Sequence, residues 1–407
     1  MKPLALIACM SAAAFAAPNK VTVHGGDSDR SNVIVTFDAP KDWRGEYTMS
    51  GKDGTVVSKL QVDGDGRAAM IVAHIAKGEV IAFRPAPFTP PRAPYGVTAE
   101  KSGSVLHLAH YADGKALPIF DYQMDAGDVP EGVLPIFKHG AHLHPVWSPG
   151  GKVVTGNHPP DHRWHRGIWM AWTDTDFEGR HPDFWNMGKS DGKDKGGALL
   201  AEVRFDSLVK SWSGPVQGGF VSRHRFIDHS SGAAKDVLNE TWEVMACAIT
   251  TGAQPMFVID FTSTQTCAGA VPLKLPKYHY GGLGVRGNQL WNAVEKVAML
   301  TSNGDDRIKG DATKGKWVHI GGEVDGQPTG MAVLIHPGNF RFPQPLRLNP
   351  KNPQLCIAPS QDGDWSIEPG KPFVSRYRFI ITDGAADAAM LASEWQSYAE
   401  PLKVTVE

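Results

Sequence analysis

The chain has 407 residues, and its 41 Lys and Arg against 43 Asp and Glu give a formal net charge of −2 at pH 7. This near-neutral balance, without a basic run, argues against a nucleic-acid partner. A hydrophobic fraction of 42% is too high for a disordered protein. The length allows about two or three domains with a sizeable core. The 16 His and 12 Trp are spread unevenly along the chain.

The first 17 residues have the pattern of a secretory signal peptide. Lys2 precedes an apolar run that ends with the small-residue cleavage pattern Ala14 to Ala16. Leu6 to Cys9 also fits a lipoprotein cleavage box, but almost no hydrophobic region precedes Cys9. We therefore expect a periplasmic or secreted protein, with a lipoprotein as the less favoured alternative. No later stretch approaches the ~18 apolar residues of a membrane-spanning helix.

The remaining chain is predicted to be mainly β and to have three parts. Residues 18–84 predict a small β-sandwich module, in which Asp63 to Gly66 is a strong hairpin turn. Closely spaced prolines predict a stiff linker at 85–95. Residues 96–407 predict a large β-sandwich domain with one helix, at 385–399. The strand candidates are Val33–Phe37, Val56–Val62, Ala68–Ile75, Val105–His110, Phe220–Asp228, Val237–Met245, Phe257–Thr264, Met331–His336 and Phe373–Thr382.

Three cysteines remain after the predicted signal peptide, and none of them lies in a C-x-x-C motif. A disulfide between Cys247 and Cys267 on neighbouring strands is one expectation for an oxidising compartment. Three buried thiols, with Cys356 the third, are the alternative.

Histidine and tryptophan are concentrated in residues 139–185. Clustering of the side chain that titrates nearest to neutral pH indicates a site. Aromatic rings among polar groups suit the faces of sugars, so we expect Trp147, Trp169 and Trp185 to bind substrate. The histidines of the segment are His139, His142, His144, His158, His162, His165 and His181.

Two consecutive prolines, Pro159 and Pro160, predict an ordered loop in the middle of this segment. His162 or His165 on this loop is a candidate base, and a carboxylate beside them would fix the tautomer. A loop arginine would clamp a carboxylate or enediolate oxygen. The loop residues expected to converge are His158, Asp161, His162, His165 and Arg166.

Three interpretations of the histidine cluster stay open. The first is acid/base catalysis by histidine with an arginine as the electrostatic partner. The second is a divalent metal held by His142, His144 and His158, because His142 and His144 point to the same side of a strand. The third is a set of hydrogen-bonded structural histidines beneath a Trp-rich core.

A second constellation follows at residues 277–287, where His279, Tyr280 and Arg286 lie among glycines that let the backbone approach a ligand. A glycine-rich hairpin with an exposed histidine is the alternative there. His336 is a third candidate, in a segment more typical of a turn. Glu240 lies on a predicted strand, where the default expectation is a solvated side chain.

These residues resemble the bacterial PmoA-like family, often labelled methane oxygenase PmoA, over roughly residues 100–400. Trp164 departs from the family's usual block, which has a further His there. The label itself does not imply methane oxidation, because a membrane oxygenase subunit needs transmembrane helices. The matching elements are His144-Pro145, the block from Pro159 to Trp169, Asp183 to Trp185, His336 to Asn339, and Arg376 to Arg378 before Asp383-Gly384.

The family resemblance implies a secreted protein of polysaccharide-degrading bacteria. It also implies that residues 96–407 resemble the galactose-mutarotase-type supersandwich. That antiparallel β fold hosts epimerases, polysaccharide lyases and hydrolase domains, so it does not define the reaction.

The expected function is cleavage of a glycosidic bond by elimination-type chemistry, because the sequence shows no obvious pair of catalytic carboxylates. The base would be His162 or His165, with Arg166 or a metal stabilising the enolate. Tyr280 or His279 would be the acid. The alternatives are a sugar epimerase or mutarotase, a noncatalytic glycan-binding protein and a periplasmic metal-binding protein.

The expected partner is a carbohydrate. No cofactor is required, apart from the divalent metal of the second interpretation. Besides the three tryptophans, the residues expected to contact substrate are His144, His158, Arg286 and His336.

Overall fold

The structure is a computed structural model, and it describes residues 20–188, 198–250 and 254–407. The predicted signal peptide at 1–17 lies outside the described residues. The described chain is mainly antiparallel β-structure with a single short α-helix near its C-terminus, which confirms the predicted fold class. It divides into two compact units. One runs to Pro90 and includes Leu402–Glu407, and the other is Pro91–Pro401.

The regular elements are numbered here along the chain. The strands are β1 (Val21–His24), β2 (Arg30–Asp38), β3 (Gly45–Ser50), β4 (Val56–Val62), β5 (Arg67–Ile75), β6 (Val80–Pro87), β7 (Gly96–Ser102), β8 (Val105–Ala112), β9 (Lys115–Gln123), β10 (His142–Val146), β11 (Ile168–Ala171), β12 (Ala201–Trp212), β13 (Gly218–Asp228), β14 (Lys235–Ile249), β15 (Met256–Cys267), β16 (Leu273–Leu275), β17 (Gly282–Arg286), β18 (Val297–Thr301), β19 (Lys314–Gly315), β20 (Trp317–Val324), β21 (Gln327–Ile335), β22 (Gln344–Leu348), β23 (Gln354–Ile357), β24 (Trp365–Ile367), β25 (Phe373–Asp383) and β26 (Lys403–Val406). The helix α1 is Ala388–Ala399, and short 3₁₀ turns lie at Pro135–Phe137, Gln289–Trp291, Val294–Lys296 and Pro359–Asp362.

The first unit is one antiparallel sheet of seven strands in the order β2-β5-β4-β3-β6-β1-β26. The predicted hairpin turn is present between β4 and β5, where the NH of Gly66 donates to the carbonyl of Asp63 at 3.1 Å. The structure differs from the expected boundaries in two ways. Strand β6 extends into the expected linker as far as Pro87, because its residues pair with β3. The last strand, β26, pairs with β1 and so belongs to this unit.

The second unit contains two large antiparallel sheets. One has nine strands in the order β19-β22-β23-β17-β11-β10-β9-β8-β7, and the other has eight in the order β12-β13-β14-β15-β25-β21-β20-β18. Buried apolar residues from both sheets form one continuous core, as in a β-sandwich. All nine strand candidates from the sequence overlap observed strands.

Asp387 caps the start of helix α1, because its carboxylate accepts hydrogen bonds from the backbone NH groups of Ala389 and Met390. This cap explains why the helix starts later than residue 385, where the sequence pattern placed it. The helix buries Leu391, and the indole of Trp395 donates to the carbonyl of Ile335 at 2.9 Å. In the described parts of the chain, no helix is both long enough and apolar enough to cross a membrane.

A polar network lies inside the core of the second unit. Glu240 is only 1% exposed, so its prediction as a solvated strand residue is wrong. Its carboxylate accepts hydrogen bonds from Ser263 (2.5 Å) and Gln265 (2.8 Å) and lies 3.0 Å from Nδ1 of His224. The other ring nitrogen of His224 is 2.7 Å from the hydroxyl of Tyr122. The network therefore connects β13, β14 and β15 of one sheet with β9 of the other.

The predicted disulfide between Cys247 and Cys267 is wrong. Cys247 is paired opposite Val258, nine residues from Cys267 along β15, which corresponds to about 30 Å of strand. The two residues lie on neighbouring strands but at opposite ends of the ladder. In the described part of the chain Cys247, Cys267 and Cys356 are all free thiols.

We predict that Glu240→Ala lowers the free energy of unfolding by about 3 kcal/mol or more, because it leaves several buried hydrogen-bonding groups without their partner. Glu243→Ala is the matched control, since this half-buried residue lies on the opposite face of β14. Urea denaturation of both variants measures the difference. Equal destabilisation by the two substitutions would contradict the structural role assigned to Glu240.

Candidate functional site

The proline loop (residues 157–166) is an ordered turn structure between β10 and β11, as the sequence predicts. Asn157 and Arg166 form an antiparallel bridge that closes the loop. Inside it, the NH of His162 donates to the carbonyl of Pro159 at 3.1 Å, and the NH of His165 donates to the carbonyl of His162 at 3.0 Å. These turns hold residues 161–165 together on one side of the loop.

Gly167 allows the proline loop to return to the sheet. Its φ is +32°, and a Cβ atom at this position would lie 1.9 Å from the carbonyl oxygen of Leu143. Any larger residue would push β11 away from β10. The loop is therefore fixed to the sheet immediately after its last residue.

An ion pair anchors the proline loop to β17. Arg286 is fully buried, and its Nη2 and Nη1 donate to Oδ1 and Oδ2 of Asp161 at 2.7 Å and 3.0 Å. Arg286 also donates to Oδ1 of Asn292 at 2.6 Å, and Asn352 donates to Asp161 at 3.0 Å. Burial opposes ionisation of Asp161, but hydrogen bonds from His162 and Arg286 outweigh it and hold its pKa well below the usual range.

Two histidines of the loop have complementary hydrogen-bonding states. Nδ1 of His162 lies 2.8 Å from Oδ2 of the ionised Asp161, so Nδ1 carries the proton and Nε2 is an acceptor. Nδ1 of His165 lies 3.3 Å from Nη1 of Arg286, which can only donate, so the proton of His165 is on Nε2. Burial holds the pKa of His165 well below its usual value, and the charge of Arg286 acts in the same direction, so His165 is neutral. The two rings stack at 4.6 Å.

These two histidines line a cavity of about 190 Å³. Trp164 and Trp185 supply apolar walls, and the hydroxyl of Thr173, which is buried, has no hydrogen-bond partner within the described chain. The cavity is therefore lined by flat rings and by polar groups that are able to bond a ligand, as small-molecule sites are. Its lining residues are His162, Trp164, His165, Thr173, Trp185, Asn186, Tyr278 and Tyr280.

The loop before β17 contributes two tyrosines to the cavity. The hydroxyl of Tyr280 accepts a hydrogen bond from Asn349 at 3.2 Å, and burial raises its pKa, so it is protonated at neutral pH. Tyr278 also lines a neighbouring surface groove of about 490 Å³. His279 lies in that groove and is exposed, so the structure places the predicted acid His279 outside the cavity.

Arg166 does not line the cavity, and its charge acts on His139, His142 and His158. The rings of His139 and His158 stack at 4.2 Å, and His142 packs edge-on against His139 at 4.9 Å. His144 is half-buried beside them, and burial lowers its pKa to about 4. We call these five residues the Arg166 cluster.

Burial makes the histidines of the Arg166 cluster neutral. It lowers the pKa of His139 and of His142 well below the usual value, and the charge of Arg166 acts in the same direction. The pKa of His158 is also lowered, chiefly by burial. Burial lowers the pKa of Arg166 to about 10, which leaves it charged at neutral pH.

The geometry argues against the metal site predicted at His142, His144 and His158. Within the described ranges, no group of three or more His, Cys, Asp or Glu side chains has an arrangement that could hold a metal ion. Arg166 supplies a positive charge at the same place, which disfavours a cation further. The cluster is therefore better suited to a negatively charged ligand.

Six residues predicted to bind substrate lie outside the cavity. Two of them, His144 and His158, belong to the Arg166 cluster, and the other four lie elsewhere. Trp169 is fully buried and packs on Trp185 with ring centroids 4.6 Å apart. Arg286 is buried and holds Asp161. Trp147 is half-buried and pairs with Val153 in a hairpin after β10. His336 lies at the end of β21 against Tyr398 of α1, 5.3 Å between ring centroids.

Sequence reasoning missed several cavity residues. Tyr278 is spaced two residues from Tyr280, so the alternation of an extended chain was a signal that both face one side. Trp164 was noted only as a departure from a family pattern. Thr173, Asn186, Asn292 and Asn352 carried no local signal, because their roles depend on contacts between distant segments.

The fold and the site define a β-sandwich protein with a histidine-lined, aromatic cavity in its larger unit. The chain belongs to DUF6807, a family of unknown function, whose model matches residues 108–396. The matched region includes every residue that lines the cavity. A search of curated proteins found no match.

We predict that Arg286→Gln raises the pKa of Asp161, because the burial that opposes ionisation remains while the main cation is lost. In the wild type, the lowered pKa of Asp161 contributes stability above its unfolded value of about 3.9, and this contribution is lost as the pH falls. The variant should lose this contribution at higher pH. A carboxyl ¹³C NMR titration with urea denaturation from pH 3 to 7 measures both effects.

Arg347→Gln is the control for this experiment. Arg347 also lies near the cavity, with its guanidinium 5.0 Å from the ring centroid of Tyr280, but it pairs with Asp311. It should leave the pKa of Asp161 unchanged. An unchanged pKa of Asp161 in Arg286→Gln would contradict the role of Arg286.

Proposed function

We propose that the protein is a secreted carbohydrate-active enzyme that cleaves a glycosidic bond by elimination-type proton transfer. The observation that carries the proposal is the pairing of His162 and His165 on one wall of an aromatic cavity. One ring presents an acceptor nitrogen and the other a neutral N–H donor. Proton abstraction next to a carbonyl group needs this combination of a base and a hydrogen-bond donor for the developing oxyanion.

In the proposed step, Nε2 of His162 takes a proton from the carbon beside a carbonyl or carboxyl group of the sugar. The electrons of that C–H bond form an enolate, and Nε2–H of His165 donates to its oxygen. The enolate then collapses to a C=C bond as the glycosidic C–O bond at the β carbon breaks. The hydroxyl of Tyr280 protonates the leaving oxygen. The products are an unsaturated sugar and an alcohol, and no water is consumed.

Asp161 and Arg286 are positioning residues in this proposal. Asp161 keeps the proton of His162 on Nδ1 and stabilises the imidazolium that forms when His162 accepts a second proton. Arg286 keeps Asp161 ionised and gives His165 the opposite tautomer. A single buried guanidinium thus assigns different roles to two neighbouring histidines.

The resemblance to the PmoA-like family and to mutarotase-type supersandwiches supports the assignment to carbohydrate chemistry. The antiparallel sheets of the larger unit are consistent with such a fold. The N-terminal signal pattern supports a periplasmic or secreted location, where polymeric sugars are encountered.

We predict that His162→Gln lowers kcat on a cleavable glycoside by about 10²-fold or more, the usual effect of losing a general base. Tyr280→Phe should slow release of the leaving group without preventing substrate binding. The assay follows ultraviolet absorbance of the unsaturated product over a panel of uronic-acid and oxidised glycosides. Mass spectrometry of the products then separates elimination from hydrolysis, which would add one water.

His107→Gln is the matched control. Nδ1 of His107 lies 2.7 Å from Oδ1 of Asp121, so this is also an Asp–His pair, but it is on β8 and β9 and outside the cavity. It should keep full activity. Full activity of His162→Gln would rule out the proposed base, and anomer or epimer formation without cleavage would instead favour an epimerase.

A further inference from the structure

Among the residues that the structure describes, Arg166 is a buried cation without an anionic contact. It is 1% exposed, and within the described chain its Nη1 makes a weak hydrogen bond to the sulfur of Met187 at 3.8 Å. Its Nε is buried without any hydrogen-bond partner there. A buried charge with so little compensation is costly unless a partner arrives from outside the chain.

The carboxylates that influence Arg166 are engaged elsewhere. Glu202 and Glu240 both act on it electrostatically. Glu240 is occupied by the core network around His224, and Glu202 lies 2.8 Å from Nε2 of His229. Neither forms an ion pair with Arg166 in the described residues. Their field makes the buried charge tolerable but leaves the guanidinium free to bond a ligand.

Two histidines of the Arg166 cluster also have a buried ring nitrogen without a hydrogen-bond partner in the part of the chain that the structure describes. Nδ1 of His139 and Nε2 of His142 are buried and have no hydrogen-bond partner in the described structure. Both rings are within the electrostatic reach of Arg166. Three buried groups without a hydrogen-bond partner in the described residues, on side chains that influence one another electrostatically, indicate a site that a ligand completes.

The cluster is adjacent in the chain to two residues of the cavity. Arg166 follows His165 in the chain, and Met187, which contacts Arg166, follows Asn186; His165 and Asn186 both line the cavity. The cavity and the cluster are therefore built from the same two chain segments, and residues next to Arg166 and Met187 would contact a ligand in the cavity.

We infer that the Arg166 cluster binds the carboxylate of the substrate, so that the enzyme takes glycosides of acidic sugars. This inference rests on the proposed function and names its substrate class. A carboxylate held by a buried arginine has its charge neutralised, and this stabilises the enolate formed when the adjacent carbon loses its proton. The anion site and the base would then act on neighbouring atoms of one sugar.

The test measures binding of methyl β-D-glucuronide and methyl β-D-glucoside by calorimetry at constant ionic strength. These probes differ only in the carboxylate. We expect the wild type to bind the glucuronide about tenfold more tightly or better, as a charge-assisted bond to arginine requires. Equal affinity for the two probes in the wild type overturns the inference, whatever the variants do.

Arg166→Gln should remove the preference for the glucuronide while leaving the affinity for the glucoside within about twofold. Arg30→Gln is the matched control, because Arg30 is also a buried arginine, 3% exposed, but belongs to the first unit. It should retain the preference. A preference retained in a folded Arg166→Gln variant, checked by circular dichroism, overturns the role of Arg166.

A melting experiment provides a second measurement on the unmodified protein. The glucuronide should raise the Tm of the wild type more than the glucoside or sodium acetate does, because binding to the folded state stabilises it. An equal rise with acetate overturns the assignment to a sugar acid in favour of a general anion site. Binding does not depend on turnover. If the proposed cleavage is not observed, the binding result therefore still tests the anion site by itself.

Discussion

The ion pair between Arg286 and Asp161 is the interaction on which the cavity depends. It joins the proline loop to the end of β17, two segments more than 100 residues apart in the chain. A bidentate contact fixes both distance and orientation, so the loop presents His162 at one place over the sheet. The same guanidinium contacts His165. One buried side chain therefore positions the loop, holds a carboxylate ionised and sets two tautomers.

The floor of the cavity also depends on the close packing of two tryptophan rings against a glycine of β17. A Cβ atom on Gly284 of β17 would lie 2.6 Å from the ring of Trp169 and 2.7 Å from that of Trp185. The missing side chain lets both indoles pack on the sheet. Trp169 is thereby buried as a support, and Trp185 above it reaches the cavity. The two tryptophans therefore differ in role because they lie at different depths above Gly284. The deeper one belongs to the core, and the other lines the cavity.

Much of the fold could be predicted from the sequence because strand signals are local. Alternation and turn residues located all nine candidate strands, and Pro401 with the apolar spacing located α1. Pairing order could not be predicted in this way. That β26 joins the sheet of β1, and that Cys247 and Cys267 lie at opposite ends of one ladder, depend on register between distant segments. The burial of Glu240 likewise follows from partners on three strands.

The sequence predicted which kinds of residue gather at the candidate site, but not what each of them does there. Asp161, His162 and His165 were expected together and lie together, whereas the two arginines, both expected at the substrate, do not line the cavity. Arg286, expected at the substrate, is paired within the protein. Arg166 follows the two cavity histidines in the loop but turns into the core and lacks a carboxylate contact there. A buried arginine that the protein leaves unpaired costs stability in the free state. A fold that keeps such a residue beside its cavity thereby favours the state in which a ligand supplies the anion.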